Sequence, residues 1–227
     1  MMSNNTIEHP EADSTPLGVL LVNLGTPDSP AVADVRRYLR EFLWDPRVVE
    51  LARPLWWLVL NLVILTTRPR RSAKAYAKVW TEAGSPLLVI SKKQHAALQT
   101  LLDAQYGLPV KVALAMRYGK PAVAAGLNDL REAGANRVLV LPLYPQYSAT
   151  TTAAIVDAVA DELRHWRALP ELRFINDYHR HPAYLSALAG SVRRDWSVHG
   201  EPDKLLLSFP GIPQVWGVAG DPAAGAG

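Results

Sequence analysis

Short apolar runs alternate with amphipathic helical patterns along this chain, and this alternation limits its fold more than any other feature. Each run is too short for a helix and is bounded by residues typical of turns, which indicates a buried β-strand. The predicted strands are residues 17–24, 110–116, 137–143, 172–175 and 204–209. Strands that alternate with helices are joined by right-handed crossovers into a parallel sheet. We therefore expect an α/β fold with Rossmann-like parallel sheets flanked by helices.

The predicted helices begin and end at recognisable residues. Ser29 can cap a helix with Pro30 at its first position, and the pair Ser85–Pro86 repeats this pattern. Glycines then end two of the helices, at Gly107 and Gly134. The first helix carries an apolar face of Val32, Val35, Leu39, Phe42 and Leu43. The later helices are predicted over residues 86–106, 121–133, 150–167 and 182–196.

Polar and aromatic residues follow the predicted strands, at the edge where parallel α/β sheets bind ligands. Arg117 follows the second strand, and Tyr144, Tyr147 and Ser148 follow the third. Tyrosine rings can stack on a flat conjugated ligand, and a guanidinium can bind a carboxylate through two hydrogen bonds. A flat macrocycle with acidic side chains fits this set, as do other ligands. A nucleotide remains an alternative, although the chain has no glycine-rich phosphate loop of either common type.

Composition excludes several classes of site and partner. The chain has no cysteine, so it can hold no disulfide, thiolate metal site or cysteine-ligated iron–sulfur cluster. Its net charge of +3 gives no case for nucleic-acid binding. Residues 1–16 are polar and acidic and lack the pattern of a signal peptide, so we expect a disordered tail and a cytoplasmic protein.

The most apolar stretch is residues 55–65, which includes Trp56 and Trp57. It is shorter than the roughly 20 residues that span a bilayer. It is therefore either a buried helix or an apolar lip over a ligand or a membrane surface. Arg68, Arg70 and Arg71 follow it and favour an interfacial position, with peripheral membrane contact through the two tryptophans.

Several segments resemble those of bacterial ferrochelatases, in the same order. They are LLVNLGTP at 20–27, VRRYL at 35–39, GSPL at 84–87, AMRYG at 115–119, LPLYPQYS at 141–148, and SF and GIP at 208–213. The resemblance implies two Rossmann-like lobes with a porphyrin between them. It also implies insertion of ferrous iron, as a substrate, into protoporphyrin IX during heme biosynthesis, with no resident cofactor.

The resemblance also implies a set of porphyrin-binding residues and a division of the chain. The porphyrin-binding residues are Leu24, Tyr76, Ser85, Arg117, Tyr144, Tyr147 and Ser148. A first lobe is expected over residues 17–145, the start of a second lobe over 146–213, and an irregular end over 214–227. We expect the second lobe to be incomplete because the resemblance stops near residue 222, which suggests a premature end.

One position departs from the family pattern. The motif that should read Ser-Phe-His-Gly-Ile-Pro has Pro210 in place of histidine. The family's histidine is thought to bind iron or accept a pyrrole proton, and proline has no side-chain donor or acceptor for either task. No catalytic residue is therefore assigned, and iron insertion is expected to be impaired. The alternative is a non-catalytic porphyrin-binding fragment or an inactive remnant.

Two histidines form a weaker candidate for a metal site. His179 and His181 are two residues apart and could face the same way. A role for His181 at the start of the following helix is the simpler interpretation, and we expect no metal there.

Overall fold

The strands that the structure describes form one parallel sheet. The computed structural model describes residues 15–107 and 109–207. Within them the sheet has four strands in the order β2-β1-β3-β4, all parallel. The strands are β1 (Leu17–Thr26), β2 (Val110–Gly119), β3 (Arg137–Pro142) and β4 (Glu171–Phe174). The predicted α/β class with a parallel sheet flanked by helices is confirmed.

Seven α-helices and two π-helical turns connect or follow these strands in the described part of the chain. The helices are α1 (Val32–Trp44), α2 (Arg53–Val59), α3 (Leu65–Val79), α4 (Pro86–Gln105), α5 (Val123–Glu132), α6 (Ala154–Leu163) and α7 (Pro182–His199). The π-helical turns are Leu60–Ile64, between α2 and α3, and Ala149–Ala153, directly before α6.

Helices cover the two faces of the sheet through different residues, because side chains alternate along each strand. Leu20 and Val22 of β1 point to one face and pack with Leu127 of α5 and Ile155 of α6. Val19 and Leu21 point to the other face. There they form a second apolar cluster, against which Leu98 and Leu102 of α4 pack. Burial of this apolar surface on both faces is the main stabilising contribution to the fold.

Helices α1, α2 and α3 form a third apolar cluster beyond the carboxyl edge of the sheet. Leu39, Leu60 and Leu65 are buried in it, together with Tyr118 from the end of β2. This cluster fixes the positions of the helices next to the strand ends, and it therefore shapes any cleft there.

The strand order places a topological switch point between β1 and β3. The chain passes from β1 to β2 on one side of the sheet and then crosses back to β3 on the other side of β1. Adjacent crossovers diverge at such a point and leave a crevice outside the carboxyl ends of the strands. The residues at the carboxyl ends of β1, β2 and β3 therefore lie where a ligand is expected.

Two local predictions were wrong. Residues 204–207, the described part of the predicted fifth strand, form no strand; residues 208 and 209 lie outside the described range. Leu206 is 89% exposed, so the described part of this apolar run is not buried against a strand or helix. The Ser29 side chain does not cap α1 either, because Ala31 occupies the N-cap position and Ser29 Oγ accepts a hydrogen bond from the Ala31 N–H at 3.1 Å.

The predicted apolar helix is longer than expected, since α2, a π-helical turn and α3 run continuously from residue 53 to 79. Pro69 lies inside α3 and cannot donate a backbone hydrogen bond. The hydroxyls of Thr66 and Thr67 donate to carbonyl oxygens of the π-helical turn just before it. These side-chain bonds reach the carbonyl groups of Leu62 and Val63, within the π-helical turn.

The predicted division into lobes stays a prediction. β4, which follows residue 146, pairs with β3 in the same sheet as β1 and β2. Of the predicted tail, residues 1–14 lie outside the described residues, as does the predicted irregular end at 214–227. Among the helices that the structure describes, none is long and apolar enough to cross a membrane.

Candidate functional site

The carboxyl ends of β1 and β2 approach each other closely at Gly25. Its φ angle is +109°, and a Cβ atom there would lie 1.7 Å from the carbonyl oxygen of Tyr118. Only glycine fits such an approach. The Gly25 carbonyl oxygen accepts a hydrogen bond from the Tyr38 hydroxyl at 3.3 Å, which fixes α1 over the end of β1.

Aromatic rings from three elements lie around the last residues of β1. The Phe42 ring packs edge-on against Tyr118, with centroids 5.2 Å apart. The Tyr38 ring packs edge-on against Tyr76, with centroids 6.4 Å apart. Leu24 packs against this same cluster. The structure therefore brings two of the predicted porphyrin-binding residues, Leu24 and Tyr76, to one aromatic wall.

Arg117 is held by a buried carboxylate from the loop after α1. Its Nη2 donates to Asp45 Oδ2, and the Tyr118 hydroxyl donates to the same oxygen at 2.8 Å. The other carboxylate oxygen accepts the backbone N–H of Arg47 at 2.7 Å. One edge of the guanidinium is thus occupied inside the protein, so the two-bond capture of a ligand carboxylate that the sequence suggested is not free to form there.

Two hydrogen-bond donors near this pair have no partner among the described residues. They are Arg117 Nε and the Tyr144 hydroxyl, both buried. Burial raises the pKa of Tyr144, and the neighbouring Tyr38 adds to the increase while Arg117 opposes it. Burial likewise raises the pKa of Tyr38 and Tyr118. All three phenols therefore stay protonated at neutral pH and can donate hydrogen bonds.

Ser148 begins the helical segment that follows β3. Its Oγ accepts the backbone N–H of Thr150 at 3.3 Å, and the π-helical turn Ala149–Ala153 starts at the next residue. Thr152 is fully buried, and its hydroxyl meets no partner in the described part of the chain. Tyr147 is half-buried beside Ser148. Single π-helical turns of this kind occur frequently at functional sites.

Ser85 lies apart from these residues in the contacts that the structure gives. It is buried at the N-cap of α4, where its side chain makes no capping hydrogen bond. Of the predicted porphyrin-binding residues, Leu24 and Tyr76 share one cluster, and Tyr144 lies within electrostatic range of Arg117. Tyr147 and Ser148 extend from the end of β3 at the same edge.

The two tryptophans of the apolar stretch differ in burial. Trp56 is buried and its Nε1 donates to the Leu43 carbonyl oxygen at 2.7 Å, so it cannot contact a membrane and that part of the prediction was wrong. Trp57 is 52% exposed. We use the term lip patch for Trp57 and its exposed apolar neighbours Leu51, Leu55, Leu58, Leu62 and Val63.

The described residues contain no group of three or more acidic or histidine side chains that could hold a metal ion. His181 is the N-cap of α7, and its Nδ1 accepts the Ala183 N–H at 3.3 Å, as its proposed helix-entry role requires. The Nδ1 atom of His179 lies 3.4 Å from Oδ1 of Asp177. Pro210 lies outside the described residues.

Asp45 is the residue of this site that sequence reasoning missed. A carboxylate at the C-terminal end of an amphipathic helix faces the negative end of the helix dipole and requires a nearby cation. An aspartate at the predicted end of the helix, directly before Pro46, was therefore the sequence feature that indicated a nearby cation. It could not identify the cation, because Arg117 is 72 residues away along the chain.

Comparison with known proteins gives the same family as the sequence motifs. A family model named Ferrochelatase matches residues 16–222. The chain is 59% identical over 206 residues to the ferrochelatase of Thioalkalivibrio sulfidiphilus, 49% over 214 to that of Marinobacter nauticus, and 52% over 216 to that of an Azoarcus species. These matches cover 91%, 94% and 94% of this chain and 56%, 57% and 58% of the respective relatives. The chain belongs to the ferrochelatase family.

Proposed function

We propose that this chain receives a porphyrin at the carboxyl edge of its sheet and belongs to the machinery that inserts ferrous iron into protoporphyrin IX. The chain spans less than three-fifths of the length of the relatives named above, so the complete reaction is part of this proposal. The names of those relatives and the buried, unpartnered donors near the carboxyl ends of β2 and β3 support it.

The chemistry of the crevice suits a flat, apolar ring with polar edges. The aromatic wall formed by Tyr38, Phe42, Tyr76 and Leu24 offers ring edges and apolar surface to a macrocycle. Tyr144 and Arg117 supply buried hydrogen-bond donors to the polar groups of the ligand. Because the Tyr144 phenol stays protonated, it donates a hydrogen bond and does not remove a pyrrole proton at neutral pH.

The observation that carries the proposal is the pair of unpartnered donors, Tyr144 Oη and Arg117 Nε, which are buried beside the switch point. A buried donor without a partner costs about 1–3 kcal/mol. Each such group requires an explanation, and a ligand that provides the missing acceptor is the one proposed here.

Tyr144→Phe is expected to separate binding from stability. The hydroxyl has no partner within the described residues, so its removal should leave the free energy of unfolding unchanged or slightly higher. The dissociation constant for protoporphyrin IX, followed by Soret absorbance, should rise about three- to tenfold, the value of one hydrogen bond. Tyr106→Phe, a change of the same kind on an exposed tyrosine, is the matched control.

Two results would count against this assignment. Unchanged porphyrin affinity in Tyr144→Phe would remove the hydroxyl from the binding site. No saturable Soret change with the unmodified chain would remove porphyrin binding itself. In the second case a thermal shift with ATP or NAD would support the nucleotide alternative.

Impairment of the chemical step is part of the proposal and depends on Pro210. A positioned acid or base contributes about 10²–10⁴-fold to rate, and proline supplies neither. The second candidate function is therefore non-catalytic porphyrin binding. A metallation assay with ferrous or zinc ion distinguishes the two, because turnover above background requires an active enzyme.

Peripheral membrane contact through the lip patch is a further part of the proposal, at the cytoplasmic surface. The patch is apolar, and Arg68, Arg70 and Arg71 lie along the same continuous helical segment. Apolar side chains beside basic residues are typical of segments that lie in a bilayer interface.

Trp57→Ser is expected to weaken binding to anionic vesicles about tenfold, because a large apolar side chain contributes roughly 1.5–3 kcal/mol when buried. Its effect on the free energy of unfolding should stay within about 0.5 kcal/mol, since the side chain is half exposed. Leu101→Ser, on α4 and 48% exposed, is the matched control and should bind vesicles as the unmodified chain does. Equal binding by both variants would contradict contact through the lip patch.

A further inference from the structure

Asp45 is a buried carboxylate at the junction of α1 and the crevice. It occupies the C-cap of α1, and its side chain is 3% exposed. A carboxylate in this position loses hydration and faces the negative end of the helix dipole. It is retained only if other groups compensate both costs.

Three hydrogen bonds provide that compensation, and all of them fix elements near the crevice. Arg117 and Tyr118, from the end of β2, both donate to Oδ2, and the backbone N–H of Arg47 donates to Oδ1. The carboxylate therefore joins the loop after α1 to the last residues of β2. Removal of one partner from a buried ion pair leaves an uncompensated charge, which is strongly destabilising.

The same bonds determine what Arg117 can offer to a ligand. The Arg117 guanidinium lies over the Tyr118 ring, with Cζ 4.5 Å from the centroid. Its Nη2 is occupied by Asp45, and its Nε has no partner among the described residues. Because Asp45 pairs with it, the Arg117 guanidinium is a fixed group with little net charge.

We propose that Asp45 is a positioning residue, which holds the Arg117 guanidinium at the crevice so that its free N–H groups meet the porphyrin. This proposal rests on porphyrin binding as proposed above. Asp45 itself contacts no ligand, since its side chain is buried and both of its oxygens are occupied. A purely structural Asp45 would affect unfolding but not the affinity of the folded chain.

The test is a double-mutant cycle in the full-length chain, and it has two readouts. Asp45→Asn keeps the shape and removes the charge, and Arg117→Gln removes the guanidinium. Each single variant should bind protoporphyrin IX about tenfold more weakly, the loss of one charge-assisted hydrogen bond. The double variant should be no weaker than Arg117→Gln alone, because Asp45 acts through Arg117.

The second readout does not need porphyrin. The Arg117 Nε–H, identified in a ¹H–¹⁵N spectrum by its loss in Arg117→Gln, should be a sharp and exchange-protected signal. Asp45→Asn should broaden or abolish it. If the unmodified chain bound no porphyrin, the proposed function would fail, and this signal would still decide whether Asp45 orders Arg117.

Asp161→Asn is the matched control, because it removes the charge of a carboxylate that pairs with an arginine, Arg164, at the exposed end of α6. It should keep both stability and porphyrin affinity. Asp45→Glu keeps the charge and displaces it by one methylene, and it replaces Asp45→Asn if that variant does not fold. Additive losses in the cycle, an unchanged Nε–H signal, or unmodified affinity in both Asp45 variants would overturn the proposal.

Discussion

Histidine at position 210 is expected to raise iron insertion by about two to four orders of magnitude in a completed chain. The completed chain joins residues 1–222, where the family match ends, to the remaining sequence of the Thioalkalivibrio sulfidiphilus ferrochelatase. With Pro210 retained, that chimera should bind porphyrin and insert iron slowly. With Pro210→His, initial rates of ferrous or zinc insertion should rise.

The physical reason is the side chain that position 210 can offer. An imidazole has one nitrogen free to accept a proton or bind a metal near neutral pH, whereas proline has neither a side-chain donor nor an acceptor. The gain should appear in kcat, because the substitution leaves all of the proposed porphyrin-binding residues unchanged. A rise of kcat with pH through the usual histidine range would support the role of a neutral imidazole.

Pro210→Ala in the same chimera separates chemistry from backbone freedom. Alanine removes the proline ring and supplies no base, so its rate should remain at the level of Pro210. Equal recovery in Pro210→Ala and Pro210→His would show that proline acted through the backbone. Recovery in neither variant would show that the chimera lacks further groups needed for insertion.

Gly25→Ala is expected to destabilise the chain by at least about 4 kcal/mol, in the range of exceptional single substitutions. A Cβ atom at residue 25 would lie 1.7 Å from the Tyr118 carbonyl oxygen, and this neighbour is backbone in a paired strand that cannot rotate away. The carboxyl ends of β1 and β2 would have to separate. Urea unfolding followed by circular dichroism measures the loss.

Gly84→Ala provides an unusually close control. Its φ angle of +107° nearly equals the +109° of Gly25, but a Cβ atom there would meet nothing within 4 Å. It should cost only the conformational penalty, about 1–2 kcal/mol. Similar losses in the two variants would show that backbone conformation, and not the close approach of the strands, makes Gly25 necessary.

The sequence predicted the fold well wherever local pattern and tertiary burial agree. The strands at 17–24 and 110–116 lie within β1 and β2, because a continuous apolar run suits a strand buried on both faces. The run at 204–209 has the same pattern, yet its described part is exposed. A strand requires a hydrogen-bonded neighbour, and nothing in a local pattern reports whether one is present.

The sequence prediction of the site names residues near the strand ends but not the contacts between them. The switch-point rule directs attention to Arg117, in the last residues of β2, and to Tyr144, which follows β3. It cannot reveal that Asp45 occupies one edge of the guanidinium, because that contact depends on how α1 packs against β2. The different burial of Trp56 and Trp57 could not be predicted for the same reason, since tertiary packing determines which side of a helix is buried.

The loop after α1 has two anchors that respond differently to dissolved ions. At one end Asp45 is sealed from water, and mobile ions cannot enter between it and Arg117. Two residues later, Arg47 pairs with Asp157 of α6 at 2.7 Å, and both side chains are more than two-fifths exposed. At 1 M salt the screening length falls to about 3 Å, which weakens such an exposed pair. The loop after α1 therefore has one contact that is insensitive to salt, between Asp45 and Arg117, and one that concentrated salt weakens, between Arg47 and Asp157.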